Sequence, residues 1–202
     1  TVAVVSDISG VRRLERIGKG AFKNCIYLEQ FQVPERVSDI GEEAFYNCRS
    51  LRVTIVALNN VLREIKPYTF YGCINLTNII IPSTVIKIGD YAFYGCIYLA
   101  TVSSGTQLSD SNISIIGESA FEGCIRLTSH ESDTSKQVLF PNTTIVGRRA
   151  FFGCSQLDNV VIPRHVTTIE EEAFAECVSL RVINTAAATL TVLKSNVFRG
   201  CS

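Results

Sequence analysis

Ile88-Gly89-Asp90-Tyr91-Ala92-Phe93-Tyr94-Gly95-Cys96-Ile97-Tyr98-Leu99 is the stretch on which the reading of this chain turns. Seven further copies of the phrase carry cysteines at Cys25, Cys48, Cys73, Cys124, Cys154, Cys177 and Cys201, so every cysteine in the chain belongs to a copy. The step is roughly 23 residues with some longer intervals, the period of a solenoid rather than of a globular domain with one centre.

Aligned on the phenylalanine, the position two residues later reads Asn24, Asn47, Gly72, Gly95, Gly123, Gly153, Glu176 and Gly200. Glycine and asparagine tolerate positive φ at least cost, so this column predicts a left-handed residue that ends a short helical turn. Acids or proline open that turn (Glu42 and Glu43, Pro67, Asp90, Glu118, Glu171 and Glu172), as suits a helix start. Within it, Ala44, Phe45 and Cys48, like Ala92, Phe93 and Cys96, fall on one inward side. Alternating stretches such as Leu76 to Pro82 and Leu157 to Pro163 then predict strands, closed by Pro34, Pro82, Pro141 and Pro163 where no further ladder donor is needed. One unit cannot bury its own Phe, Leu and Ile; stacking the units, with strands about 4.8 Å apart, lets each wall off its neighbour. An α/β repeat of about eight units follows, each with a short parallel strand and a short helical turn.

The consensus Val-x-x-Ile-Gly-x-x-Ala-Phe-x-Gly-Cys-x-x-Leu-x-x-Val-x-Ile-Pro resembles the BspA-type (Treponema pallidum type) leucine-rich repeat and covers nearly the whole chain. The resemblance implies a curved, right-handed leucine-rich-repeat solenoid that binds other proteins, often as an adhesin at a cell surface. It supplies no catalytic residues to transfer.

The 202 residues, 47% of them hydrophobic, with a formal net charge of zero, suit a densely packed domain spanning 1–202. The neutral balance argues against nucleic acid, which calls for a basic stripe. No apolar run reaches the roughly 18 residues of a membrane span, and no signal peptide opens the chain. The absence of methionine and the stop within a repeat read as a fragment of a longer protein. One cysteine per unit at one structural position predicts a ladder of small buried thiols, with inter-repeat disulfides open on distance alone. There is no C-x-x-C pair and only His130 and His165, so no metal or other cofactor is expected.

Two Ser-rich insertions, Ser103 to Asn112 and Ser129 to Lys136, predict loops on one edge, either functional or merely tolerated. A smaller addition near Ala57 to Asn60 accompanies Lys66-Pro67 in place of the Gly turn. No nucleophile motif, phosphate loop or distinctive carboxylate pair is present, which points away from an enzyme.

Two stripes are candidates for partner binding. The fourth residue after each strand-opening leucine gives Gln32, Ile55, Ile80, Ser103, Leu139, Val161 and Asn184, in which Ile55, Ile80, Leu139 and Val161 form an apolar line if they face solvent. A register slip of one residue would put them in the core instead. Tyr46, Tyr71 and Tyr94, continued past Glu122 by Phe152, form the second, as interface aromatics or as rings packing over neighbouring turns. Three Asn-x-Ser/Thr sequons, at Asn75, Asn112 and Asn142, permit glycosylation without indicating it. The expected function is a non-catalytic protein-binding module of a surface or secreted protein; the competing reading is an intracellular scaffold within a larger assembly.

Overall fold

The structure is a computed structural model that describes residues 13–34, 36–55, 61–104, 111–128, 139–185 and 189–202, and of residues 53–55 and 104 the backbone alone. Among the described residues fourteen short strands fall into two columns. Two-residue strands ending on a core aliphatic make the first: β1 (Arg16–Ile17), β3 (Asp39–Ile40), β5 (Glu64–Ile65), β7 (Lys87–Ile88), β9 (Ile115–Ile116), β10 (Ile145–Val146), β12 (Thr168–Ile169) and β14 (Val192–Leu193). Longer strands make the second: β2 (Gln30–Gln32), β4 (Val53–Ile55), β6 (Asn78–Ile81), β8 (Thr101–Ser104), β11 (Asn159–Val161) and β13 (Val182–Asn184). Every pairing is parallel and joins one rung to the next, the longest sheet being the six strands β5-β7-β9-β10-β12-β14.

Of the four closing prolines, Pro34, Pro82 and Pro163 lie at or just past a strand end, whereas no strand precedes Pro141 among the described residues. Pro82 follows β6 directly, and the carbonyls of Pro34, Pro82 and Pro163 accept from the N-H groups of Val37, Val85 and Val166 at 3.0–3.1 Å, turning the chain toward the first column. Ser and Thr hydroxyls reinforce that corner. Thr144, Thr167 and Thr191 each donate to a carbonyl one rung earlier, at 3.0–3.2 Å.

The edge expected to be helical is not. Among the described residues there is no helix, and the expected eight repeats with helical turns are instead a parallel-strand β-solenoid of about six turns. Around Phe45 the reason is visible in where the amides go. The N-H groups of Ala44, Tyr46 and Cys48 close turns onto Gly41, Glu43 and Phe45, three residues back, while those of Phe45 and Asn47 donate to Thr69 and Tyr71 on the next rung at 2.9 and 2.6 Å. Every second donor is thus taken by a neighbour, and no helical ladder can form. Glu43 (φ 56°) and Asn47 (φ 58°) are each the third residue of a turn, as in type II. The left-handed column after the phenylalanine is where the sequence placed it, from Asn24 to Gly200; a second one, two residues before it, includes Tyr68, Tyr91 and Arg149.

Phe45, Phe70, Phe93, Phe121, Phe151 and Phe174 are fully buried and stacked nearly parallel, centroids 5.1–5.3 Å apart. Each such burial is worth about 1.5–3 kcal/mol. Beside them runs the thiol ladder. Cys48, Cys73, Cys96, Cys124, Cys154 and Cys177 are buried, and each donates its S-H to the phenylalanine carbonyl one rung earlier, at 3.0–3.3 Å. Cys25 is exposed and Cys201 half-buried, and all eight cysteines are free thiols. In the Ile-Gly step of the phrase, a Cβ on Gly147 would come within 2.6–2.7 Å of the Gly117 backbone, so the rungs close there only without a side chain.

Strand β8 runs through Ser103 and Ser104, so the first insertion leaves the sheet later than expected. The rest of it up to Asp110, all of the second insertion, Ala57 to Asn60, Ala186 to Ala188 and the first nine residues lie outside the described residues.

Candidate binding surface

The strand stripe holds its register over most of its length. Gln32 pairs with Ile55, Ile55 with Ile80, Ile80 with Ser103, and Val161 with Asn184. Ile80 lies half-buried between the fully buried Ile79 and Ile81, and Val161 alternates in the same way with Val160 and Ile162. Those two side chains therefore sit on the outward face. Leu139 does not: it is fully buried at a bend before Phe140 and Pro141, outside any strand, so it is removed from the stripe. A proline two residues on located the column correctly only where a strand precedes it. The side chain of Ile55 lies outside the described residues.

The tyrosine stripe is wider than the sequence suggested. Tyr46, Tyr71 and Tyr94 stack on consecutive rungs with centroids 4.7 and 4.8 Å apart and planes within 3°. Alongside them Tyr68 stacks on Tyr91 at 5.0 Å, and the two rows lean together at 44–46° with centroids 5.9–6.0 Å apart. Tyr68 and Tyr91 occupy the second left-handed column. Reading that edge as a helix hid them, although the alignment column two before the phenylalanine already contained both. All five rings are partly exposed, Tyr68 the most, at 36%. The rings do pack over neighbouring turns, their faces spent on one another, while each stays partly exposed.

Charge closes the double row at both ends. Lys23 stands 4.6 Å over the Tyr46 ring and pairs with Glu43. At the other end Tyr91 donates to Glu118 at 3.0 Å. On the next rungs the same two columns hold a chain of ions: Arg149 grips Glu122 through Nη2 (2.7 Å) and Nε (3.0 Å), reaches Glu172 through Nη1 at 3.0 Å and covers the Phe152 ring at 3.7 Å. Arg199 continues the chain to Glu172 and Glu176, both at 3.0 Å. Burial, together with the neighbouring Tyr46, Tyr94 and Tyr68, pushes the Tyr71 phenol above its ordinary value. Burial and the bond to Glu118 do the same for Tyr91. Partial desolvation pushes Glu172 up, but its bonds to Arg199 and Arg149 outweigh that and hold it below the usual carboxylate range. Burial pushes Cys48 and Cys177 up to about 12, keeping them as unreactive thiols.

A profile of the BspA type leucine-rich repeat region matches residues 15–136 and 129–202, in six copies. The chain belongs to this family. Among solved structures, this BspA-type domain is similar to a leucine-rich repeat protein of Bacteroides ovatus, with 27% identity and a TM-score of 0.70 over 85% of this chain and 41% of that one. A leucine rich cell surface protein of Faecalibacterium prausnitzii matches at 25% identity and a TM-score of 0.59, over 87% of this chain and 52% of its own. The Treponema pallidum leucine-rich repeat protein, at 24% identity, shares the fold with a TM-score of 0.75 over 92% of this chain and 80% of that one. The domain thus spans about half or less of the Bacteroides and Faecalibacterium chains. No curated protein matches it.

Repeat proteins of this class are generally non-catalytic scaffolds that mediate protein interactions. Among the described residues no helix is long and apolar enough to cross a membrane, and no three His, Cys, Asp or Glu side chains are grouped to hold a metal ion. His165 is exposed and its Nε2 accepts from Arg164 Nε at 3.1 Å; His130 lies outside the described residues. Two of the sequon asparagines are tied to the rung below, Asn112 to the Ser83 carbonyl at 2.9 Å and Asn142 to that of Ser111 at 2.8 Å.

Proposed function

We propose that this BspA-type domain is a non-catalytic protein-binding module of a surface or secreted protein, with its partner seated on the tyrosine-lined edge. The observation that carries this reading is the double row itself: five of the chain's seven tyrosines gathered on adjacent rungs, partly exposed, on a scaffold that holds each row's rings parallel. Tyrosine suits an interface because a rigid ring contributes apolar contact while its hydroxyl still bonds water or partner. Ile80 and Val161, outward on the strand face, form the secondary patch. The surface location draws support from the Faecalibacterium relative, which is described as a leucine rich cell surface protein.

The test is capture of a partner by immobilised wild-type domain, compared with Tyr71→Ser, Ile80→Asp and Val161→Asp, folding being followed by circular dichroism. Tyr71→Ser should weaken capture by about tenfold or more, as truncation of a central aromatic anchor does. Equal capture by the folded wild-type and Tyr71→Ser proteins would discard the tyrosine edge as the site.

A further inference from the structure

The spacing of the double row selects among the conformations a bound peptide could take. Rungs of 4.7 and 4.8 Å bring every second tyrosine of the longer row to roughly 9.5 Å. A polyproline II helix repeats its side chains every three residues, or about 9.3 Å, so it stays in phase with alternate rungs. An α-helix laid along the same axis advances about 5.4 Å per turn and loses phase at each rung. A strand repeats its face about every 6.7 Å and meets neither one rung nor two. Building on the tyrosine-edge reading above, we infer that this double row is a docking site for a proline-rich segment in the polyproline II conformation, lying along the solenoid axis.

What the row presents agrees with that occupant. Because the rings are stacked face to face, with Lys23 over the end ring, they offer edges and hydroxyls rather than an open platform. A sugar ring, which needs an aromatic face to lie on, finds none between the stacked rings. Proline rings can lodge against ring edges, and a polyproline backbone has carbonyls that lack any internal donor. The hydroxyls of Tyr46, Tyr68, Tyr71 and Tyr94, which have no hydrogen-bond partner among the described residues, are placed to supply one; that of Tyr91 is engaged by Glu118. Electrostatics points the same way. Of the bordering charges Lys23 is matched with Glu43 and Glu122 with Arg149, and Glu118 takes the Tyr91 hydroxyl, so the patch offers no cation to an acidic segment and suits an uncharged one.

The chain contains no tryptophan, so its intrinsic fluorescence reports tyrosine directly. The protein is titrated with decaproline and with a Gly-Ser peptide of equal length, at low and high salt. Decaproline should bind about tenfold or more tightly than the Gly-Ser peptide, since its conformation is preformed, and its affinity should change little with salt. Tyr71→Ser should weaken it by about tenfold, Tyr71→Phe by a few-fold through loss of the hydroxyl, and Tyr98→Ser, outside the double row, should leave it unchanged. If Tyr71→Ser does not fold, the Tyr71→Phe and Tyr98→Ser arms decide. Equal affinity for both peptides, binding indifferent to Tyr71, or a steep loss with salt would each overturn the inference. Should decaproline fail to bind while a captured protein partner still requires Tyr71, only the proline assignment falls; if Tyr71 matters to neither, the tyrosine edge itself is not the site.

Discussion

One backbone edge of this solenoid is finished in two chemistries. Between the rungs of Phe45 and Phe93 its outward columns hold stacked tyrosines, and beyond them the same columns carry the ion-pair chain of Glu122, Arg149, Glu172 and Arg199. Behind both, the phenylalanine stack and the thiol ladder run on without change. The difference teaches what the edge requires. A parallel array puts identical columns about 5 Å apart, and side chains at that distance must either stack or alternate in charge, since like charges there repel. The aromatic half leaves apolar edges and hydroxyls facing outward. The ionic half satisfies itself: Arg149, whose own value is raised chiefly by its bonds to Glu122, holds two carboxylates at once.

If the halves differ only at the edge, removing core from either should do equal damage. Phe93→Ala and Phe151→Ala are each expected to cost about 3–5 kcal/mol in urea denaturation, the usual range for a buried phenylalanine. A large gap between them would mean that the edge chemistry reaches into the core. Thiol labelling probes the same equality without mutation. In the native protein Cys73 and Cys154 should be protected alike, and Cys25, which is exposed, should react first; rapid labelling of either buried thiol would separate the halves.

Arg149→Ala strikes the ionic half alone, leaving Glu122 without a cation and Glu172 with Arg199 only. A loss of about 1 kcal/mol is expected, since the pairs are partly solvated, and it should shrink as salt is added. A pH series sharpens the contrast further. Glu172 is held below its ordinary 4.5, so its contribution is present above that pH and is lost as pH falls through the lower folded value. Tyr71 and Tyr91 are held above 10, so theirs is present below pH 10 and lost as pH rises past it. The buried cysteines, raised from 9, add an alkaline loss common to both halves. Glu172→Gln should therefore flatten the acid limb of stability against pH, and Tyr71→Phe the alkaline limb; the reverse pattern would contradict the assignment. Smallest of all, Tyr71→Phe at neutral pH should move stability by less than about 0.5 kcal/mol, because the stacked ring stays in place.

How far the sequence could be read follows from which of these features repeat. The phenylalanine and cysteine columns recur in every copy, and their burial was legible from that alone. The left-handed Gly/Asn column was equally plain, since few other residues sit there cheaply. The helix was misread because apolar residues three and four apart, an acidic start and a glycine stop describe successive β-turns as well as they describe one helical turn. Leu139 failed for a related reason: it sits two before a proline as Ile80 does, yet no strand precedes Pro141 among the described residues to carry the alternation. Tyr46, Tyr71 and Tyr94 were recognised as a line; Tyr68 and Tyr91 became their neighbours only when the turns folded one column against the other.

The amino-acid sequence alone determined that the units stack and which residues they bury, because each is too small to enclose its own phenylalanine and every copy with a neighbour on both sides hides the same positions. Only the tertiary structure decided what the edge is made of. A backbone amide can bond within its own turn or to the next rung, and local sequence is silent on that choice; once neighbouring coils take alternate donors, helix becomes turn and two separate tyrosine columns become a single surface.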